Sequence, residues 1–112
     1  MQGSHRLQHS GLKALTAGRP STILYAAWEA GFGKFLRHRT GHGIGLEGHE
    51  SPWIGEGDKT VLREGMTFSC EPGVYDPDFG GFRHSDTVVV RKERGESLNH
   101  YPTRLEEMVI EI

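Results

Sequence analysis

Met66-Thr67-Phe68-Ser69-Cys70-Glu71, Asp76-Pro77-Asp78-Phe79-Gly80-Gly81 and Phe82-Arg83-His84-Ser85-Asp86-Thr87-Val88-Val89 form the stretch whose reading decides the fold. Over residues 66–71, apolar Met66, Phe68 and Cys70 alternate with polar Thr67, Ser69 and Glu71, the period of a half-buried strand. Residues 76–81 are dense in turn formers. A second strand is predicted over 82–91, with Phe82, His84, Asp86 and Val88 on one face and Arg83, Ser85, Thr87 and Val89 on the other. Two strands flanking such a turn predict an antiparallel hairpin. A turn centred near Asp78 sets Glu71 opposite Ser85, where cross-strand Cβ atoms lie about 5 Å apart. Arg83 and Thr87 share that polar face, which makes it the best candidate for chemistry.

Upstream, Gly41 to Gly48 reads as a glycine-rich loop, and residues 51–65, with Pro52, Gly55, Gly57 and Gly65, read mostly as loop. Gly43-Ile44-Gly45-Leu46-Glu47-Gly48 satisfies the dinucleotide pattern G-x-G-x-x-G. That motif needs a strand before it and a helix after it, because the helix N-terminus holds the pyrophosphate. A charged stretch precedes it here and His49-Glu50-Ser51-Pro52 follows, so the dinucleotide reading is rejected. A basic, irregular stretch occupies residues 34–40. Further back, Leu7, Gly11, Ala14 and Leu15 share one face of a helix predicted over 6–17, which Gly18 caps and Pro20 ends. Ser21 caps a second helix predicted to run to about residue 30, with Ile23, Ala26, Ala27 and Ala30 on its face.

The 112 residues suffice for one small domain with a modest core. The formal charge is -2 with both signs interspersed, so no basic stripe points to nucleic acid. No apolar run is long enough for a membrane span, and the polar start is not a signal peptide. Cys70 is the only cysteine, which excludes an intramolecular disulfide and fits a reducing, cytoplasmic setting.

Taken singly, the polar residues have ordinary explanations. His42 and His49 stand seven apart, which is neither a zinc-finger nor a zincin spacing. Glu71 alone reads as a surface carboxylate. His84, Ser85 and Asp86 cannot form a relay among themselves, because strand neighbours point to opposite faces. Cys70 falls on the apolar face and reads as a buried, inert thiol.

The combination reads differently. Gly41-His42-Gly43-Ile44-Gly45-Leu46-Glu47-Gly48-His49-Glu50, then Glu71-Pro72-Gly73-Val74-Tyr75, then Gly81-Phe82-Arg83-His84-Ser85-Asp86-Thr87-Val88, closely resembles the pita-bread metallopeptidases in order and spacing. Within that family the branch it resembles is the Xaa-Pro aminopeptidases, prolidases and creatinases, and the resemblance runs from about residue 12 to 109. It implies an α+β fold in which helices pack on a curved antiparallel sheet, with residues 1–112 as the C-terminal half of a catalytic domain. It implies cleavage of N-terminal residues next to proline by a metallohydrolase whose active site is incomplete in this chain. Family members typically hold two divalent ions, manganese, cobalt or zinc, on two aspartates, one histidine and two glutamates. His42 matches the histidine ligand and Glu71 the first glutamate, which also lies near the attacking water. His49 matches a catalytic histidine that contacts the substrate, and Arg83 an arginine that orders the site and its substrate. The implied partners are a peptide substrate, an N-terminal half-domain carrying the aspartates, and a second copy in a homo-oligomer, with no nucleic acid and no membrane.

This sequence departs from the pattern twice. It holds no counterpart of the aspartates, and Ser85 stands where the bridging glutamate is expected. A neutral hydroxyl cannot hold two divalent ions as a carboxylate does. The alternatives are a metal-free, creatinase-type amidinohydrolase, in which His42, His49 and Glu71 perform the acid–base work, and a non-catalytic module that binds peptide or protein.

Overall fold

A computed structural model describes Ala17, Lys34, residues 37–102 and residues 104–111. Alternation in the sequence becomes strands: β1 Gly41–Gly43, β2 Glu50–Ile54, β3 Thr67–Cys70, β4 Gly73–Asp76, β5 Gly80–Arg83, β6 Asp86–Val90 and β7 Gly95–Ser97. A 3₁₀ turn, Leu105–Met108, follows. Five strands form one sheet in the order β2-β1-β3-β6-β7, and β4 with β5 forms a separate two-stranded ribbon. Every pairing is antiparallel.

The expected hairpin is present, and its centre is Asp78. Phe68 pairs with Val88 and Cys70 with Asp86 in the sheet, while Tyr75 pairs with Gly81 and Asp76 with Gly80 in the ribbon. All four pairs share one centre, so the register runs unbroken through both parts and sets Glu71 opposite Ser85. The expectation of two continuous strands is corrected, because each strand is interrupted, at residues 71–72 and 84–85. Pro72 has no N–H to donate to a ladder. At the same point the Glu71 N–H turns away from β6 and donates to the Thr40 carbonyl at 2.7 Å.

Two further expectations are corrected. Residues 41–43 are a strand inside the sheet rather than loop. Gly41 tolerates this position because its backbone lies against β3: a Cβ there would sit 2.0 Å from the Ser69 carbonyl oxygen. Residues 51–54, within the stretch 51–65 expected to be mostly loop, belong to the edge strand β2. An edge is where a sheet accepts proline, since one side of the strand needs no ladder bond. The β1–β2 register shifts between His42 and Gly43, a bulge that accommodates residues 51 and 52.

The two helices expected over 6–17 and 21–30 lie outside the described residues, apart from Ala17. No α-helix occurs among the described residues, so the architecture on view is sheet-rich and helices packed on a sheet are not borne out. Nor is any helix among them long and apolar enough to cross a membrane. The core lies on the face of β3 and β6 that the alternation predicted: Phe68, Cys70, Val88 and Val90, joined by Ile54 from β2 and Leu62 from the β2–β3 connection. The opposite face of the same strands carries Ser69 and leads to Glu71.

Candidate active site

Glu71 sits at the interruption between sheet and ribbon, where its backbone is held by Thr40 and its side chain is free to face β1. Ser69, two residues back on the same face, donates its hydroxyl to Glu71 Oε1 at 3.2 Å. The same hydroxyl oxygen accepts the His42 backbone N–H at 3.0 Å. Ser69 thereby ties β1 and Glu71 together, a role its position in the alternation did not suggest.

His42 Nε2 lies 3.1 Å from Glu71 Oε1, with both side chains largely buried. Its other ring nitrogen, Nδ1, lies 2.9 Å from the Gly43 carbonyl oxygen. A carbonyl can only accept, so Nδ1 is the donor in that contact. Nε2 faces the carboxylate, and an N–H there or a cation shared with the carboxylate satisfies the contact. The same pattern, one imidazole N–H on a backbone carbonyl and the other nitrogen directed to the site, is how metal-ligating histidines are oriented.

The second oxygen of Glu71, Oε2, faces Arg83 Nη1 at 3.6 Å. Arg83 ends β5 and is half exposed, so the pair is softened by solvent. His49, exposed at the end of the glycine-rich turn, stacks on His42 with ring centroids 4.0 Å apart and planes 29° from parallel. That turn is organised by Glu50, whose Oε2 accepts the Glu47 N–H at 3.1 Å. His42, His49, Glu71 and Arg83 all line one open cleft of about 380 Å³, a size suited to a small ligand.

Three more residues on this cleft escaped the sequence reading: His38, Arg39 and Trp53. The Arg39 guanidinium lies over the Trp53 ring, 4.8 Å from its centroid, in a cation–π contact. The Trp53 backbone N–H donates to Asp58 Oδ2 at 2.6 Å. His38 Nε2 meets the Tyr75 hydroxyl at 2.9 Å, linking the stretch before β1 to the ribbon. Tyr75 can lie there because Gly73 and Gly81 bear no side chain; a Cβ at Gly73 would come within 2.6 Å of its ring. The only sequence signal was the basic, irregular stretch over residues 34–40, which holds His38 and Arg39 but not Trp53.

On the opposite, core side, His84 and Asp86 are 8% and 9% exposed while Ser85 between them is exposed, so the three form no relay. Cys70 is buried, and its thiol is pushed up to about 12 by burial first, then by the nearby charges of Asp86 and Glu71. It is inert, as its place in the alternation indicated. Among the described residues no group of three histidine, cysteine, aspartate or glutamate side chains converges as a metal site. The donors that fit a divalent ion are therefore two, His42 Nε2 and Glu71 Oε1. Their separation matches neighbouring ligands on one ion with bonds of about 2.1 Å.

The cleft thus brings together a strand-borne histidine facing a carboxylate, a second histidine stacked beside it, and an arginine on the carboxylate's far oxygen. The chain belongs to metallopeptidase family M24, whose family model matches residues 4–92. It is 47% identical over 70 residues to the Xaa-Pro dipeptidase of Pyrococcus horikoshii, covering 62% of this chain and 20% of that protein. It is 41% identical over 105 residues to the probable dipeptidase PepE of Mycobacterium bovis, covering 89% of this chain and 28% of that one. The solved structure of the Xaa-Pro dipeptidase from Bacillus anthracis superimposes with a TM-score of 0.84 at 35% identity, over 93% of this chain and 31% of that one. The chain thus spans less than a third of the length of these relatives.

Proposed function

We propose that this chain is the C-terminal half of a pita-bread metallopeptidase domain that removes N-terminal residues next to proline, with the remaining metal ligands supplied by polypeptide outside it. The observation that carries this reading is the His42–Glu71 pair, 3.1 Å apart, with the other ring nitrogen of His42 on the Gly43 carbonyl as in metal-ligating histidines. In this reading His42 and Glu71 are ligands, His49 contacts the scissile carbonyl and stabilises its developing charge, and Arg83 orders Glu71 and the substrate. A bound divalent ion, manganese, cobalt or zinc, would supply an activated water and brace the tetrahedral intermediate. Glu71, held by Ser69, is the base placed to take the water's proton. The open cleft suits a dipeptide, and the reading carries with it a cytoplasmic setting and a homo-oligomer.

The test is a chimera in which this chain replaces the matching segment of the Pyrococcus horikoshii Xaa-Pro dipeptidase. The chimera is expected to hydrolyse Xaa-Pro dipeptides with added manganese, whereas the 112-residue chain alone does so poorly or not at all. Glu71→Gln in the chimera should lower the rate by at least about 100-fold, as loss of a base does. His49→Ala should lower it by about 100-fold while sparing metal binding, the scale of losing one oxyanion donor. A folded, metal-loaded chimera without Xaa-Pro hydrolysis would sink the proposal.

A further inference from the structure

One side of the cleft carries a positive charge that neither the His42–Glu71 pair nor its neighbours use. Arg39 lines the cleft and is exposed. Among the described residues no carboxylate pairs with it, and the carboxylate on the cleft, Glu71, is taken up by His42, Ser69 and Arg83. The Arg39 guanidinium is nevertheless held in place. It lies over the Trp53 ring, 4.8 Å from the centroid. Gly55 leaves room for its stem, since a Cβ there would come 3.0 Å from Arg39 Cγ. The backbone just beyond it is pinned where Thr40 donates its N–H to the Ile54 carbonyl at 3.0 Å. Trp53 in turn pairs with His42 across β1 and β2, with ring centroids 6.4 Å apart. One indole therefore separates the Arg39 guanidinium from the His42 ring, and both line the same cleft. A guanidinium resting on an aromatic face keeps N–H donors for a second partner, and its planar fork matches a carboxylate in two parallel hydrogen bonds.

We infer that Arg39, seated on Trp53, binds the free C-terminal carboxylate of a short peptide and so makes dipeptides the preferred substrates of this site. The inference rests on the peptidase reading and adds to it the group that measures substrate length. A fully extended dipeptide spans about 7 Å, the scale on which Trp53 and Arg39 stand off from His42. A dipeptide whose scissile bond lies at His42 and Glu71 brings its terminal carboxylate against Arg39. A longer peptide places an uncharged peptide group there and leaves the guanidinium without a counter-charge. His38, His49 and Arg83, which also line the cleft, bring no negative charge that would repel an anion.

The experiment compares an Xaa-Pro dipeptide with the same dipeptide as its C-terminal amide, in the chimera described above. The free acid is expected to be preferred by roughly tenfold in kcat/KM, the scale of one hydrogen bond to a charged group. Arg39→Gln should raise KM for the acid by about that factor, with little change in kcat, and leave the amide as it was. Arg39→Lys keeps the charge but not the fork and should recover part of the preference. Trp53→Leu removes the ring under the guanidinium and should weaken the acid in the same direction by a smaller factor. An equal loss for acid and amide in Arg39→Gln would show a merely structural role and overturn the inference, as would no preference in the unsubstituted chimera. A second readout needs no hydrolysis: glycyl-proline and glycyl-proline amide are titrated into the 112-residue chain and followed by the Trp53 indole N–H resonance. The acid is expected to shift that resonance at concentrations where the amide does not, and Arg39→Gln to remove the difference. No response to the acid, or an equal response to both, would overturn the inference. A chimera that cleaves both forms alike would remove this inference alone. A folded, metal-loaded chimera without cleavage, beside a chain that binds the acid through Arg39, would remove the peptidase reading alone.

Discussion

On the inner half of the hairpin, β3 and β6 pair Phe68 with Val88 and bury both completely. On the outer half, β4 and β5 pair Val74 with Phe82 in the same register, yet every residue of β5 is exposed. Local pattern is therefore not what separates the two halves. The inner pair gains a third and fourth neighbour, β1 on one side and β7 on the other, and a layer formed by Ile54 and Leu62. Among the described residues the outer pair has no further strand, and a two-stranded ribbon has little stability of its own. Glu71 lies at the junction, with its backbone anchored on the rigid half and its carboxylate reached by Arg83 from the exposed half. Such a junction gives the carboxylate a fixed seat and leaves its partner arginine room to adjust.

The largest expected effect comes from breaking the inner half. Phe68→Ala removes a side chain with no solvent exposure and should cost about 3–5 kcal/mol, enough to unfold a marginal domain. Denaturant unfolding followed by circular dichroism checks it. A loss under about 1 kcal/mol would mean that the inner half does not carry the fold.

Cys70 tests the same half by chemistry. Its thiol is pushed from 9.0 up to about 12 when folded, by burial and then by Asp86 and Glu71. Because the folded value is raised, this group's contribution to stability is complete below the unfolded thiol value. It is lost as pH rises from about 9 toward 12. Alkylation of Cys70 at pH 8 should therefore be slow in the native chain and fast in denaturant, and stability should decline above pH 9. Rapid native alkylation at pH 8 would show the inner half to be open.

Tyr75→Phe probes the tie between the halves. The Tyr75 hydroxyl reaches His38, an exposed contact worth about 1 kcal/mol or less. The expected result is faster amide exchange in β4 and β5 with exchange in β3 and β6 unchanged. Uniform acceleration across both would mean that the ribbon is not a separate unit.

The alternation over 66–71 and 82–90 was sufficient to place the hairpin, its centre, its two faces and the meeting of Glu71 with Arg83, because those follow from period two and a turn. The same reasoning missed β1 and β2. Gly41 and Gly43 are strand residues selected for close backbone approach, and Pro52 is an edge residue. Both signals normally mean loop, and only the neighbouring strands decide otherwise. The His42–Glu71 pair was legible through family resemblance, since twenty-nine positions separate the two and no periodicity joins them. The Arg39–Trp53 and His38–Tyr75 contacts were not legible, because each joins residues far apart in the chain that no periodicity relates.

The smallest stability effect is expected on the outer half, where it sharpens the comparison most. Phe79 at the turn is 84% exposed and Phe82 in β5 is 40% exposed. Replacing both with serine removes no core contact, so the unfolding free energy should change by no more than about 0.5 kcal/mol. Their exposure has a different consequence. Two exposed aromatics on the ribbon, beside strand edges that no other strand pairs among the described residues, favour contacts between molecules. Sedimentation of the wild-type chain is therefore expected to depend on concentration, and that of the Phe79→Ser, Phe82→Ser variant to depend on it less. An inner-half substitution cannot give this pair of results, since it lowers stability and exposes more apolar surface at once. If the double variant loses several kcal/mol instead, the ribbon is packed rather than exposed and the division between the halves fails. If its stability holds and its association is undiminished, the contact surface lies elsewhere, and the free edge of β2 or β7 becomes the place to substitute next.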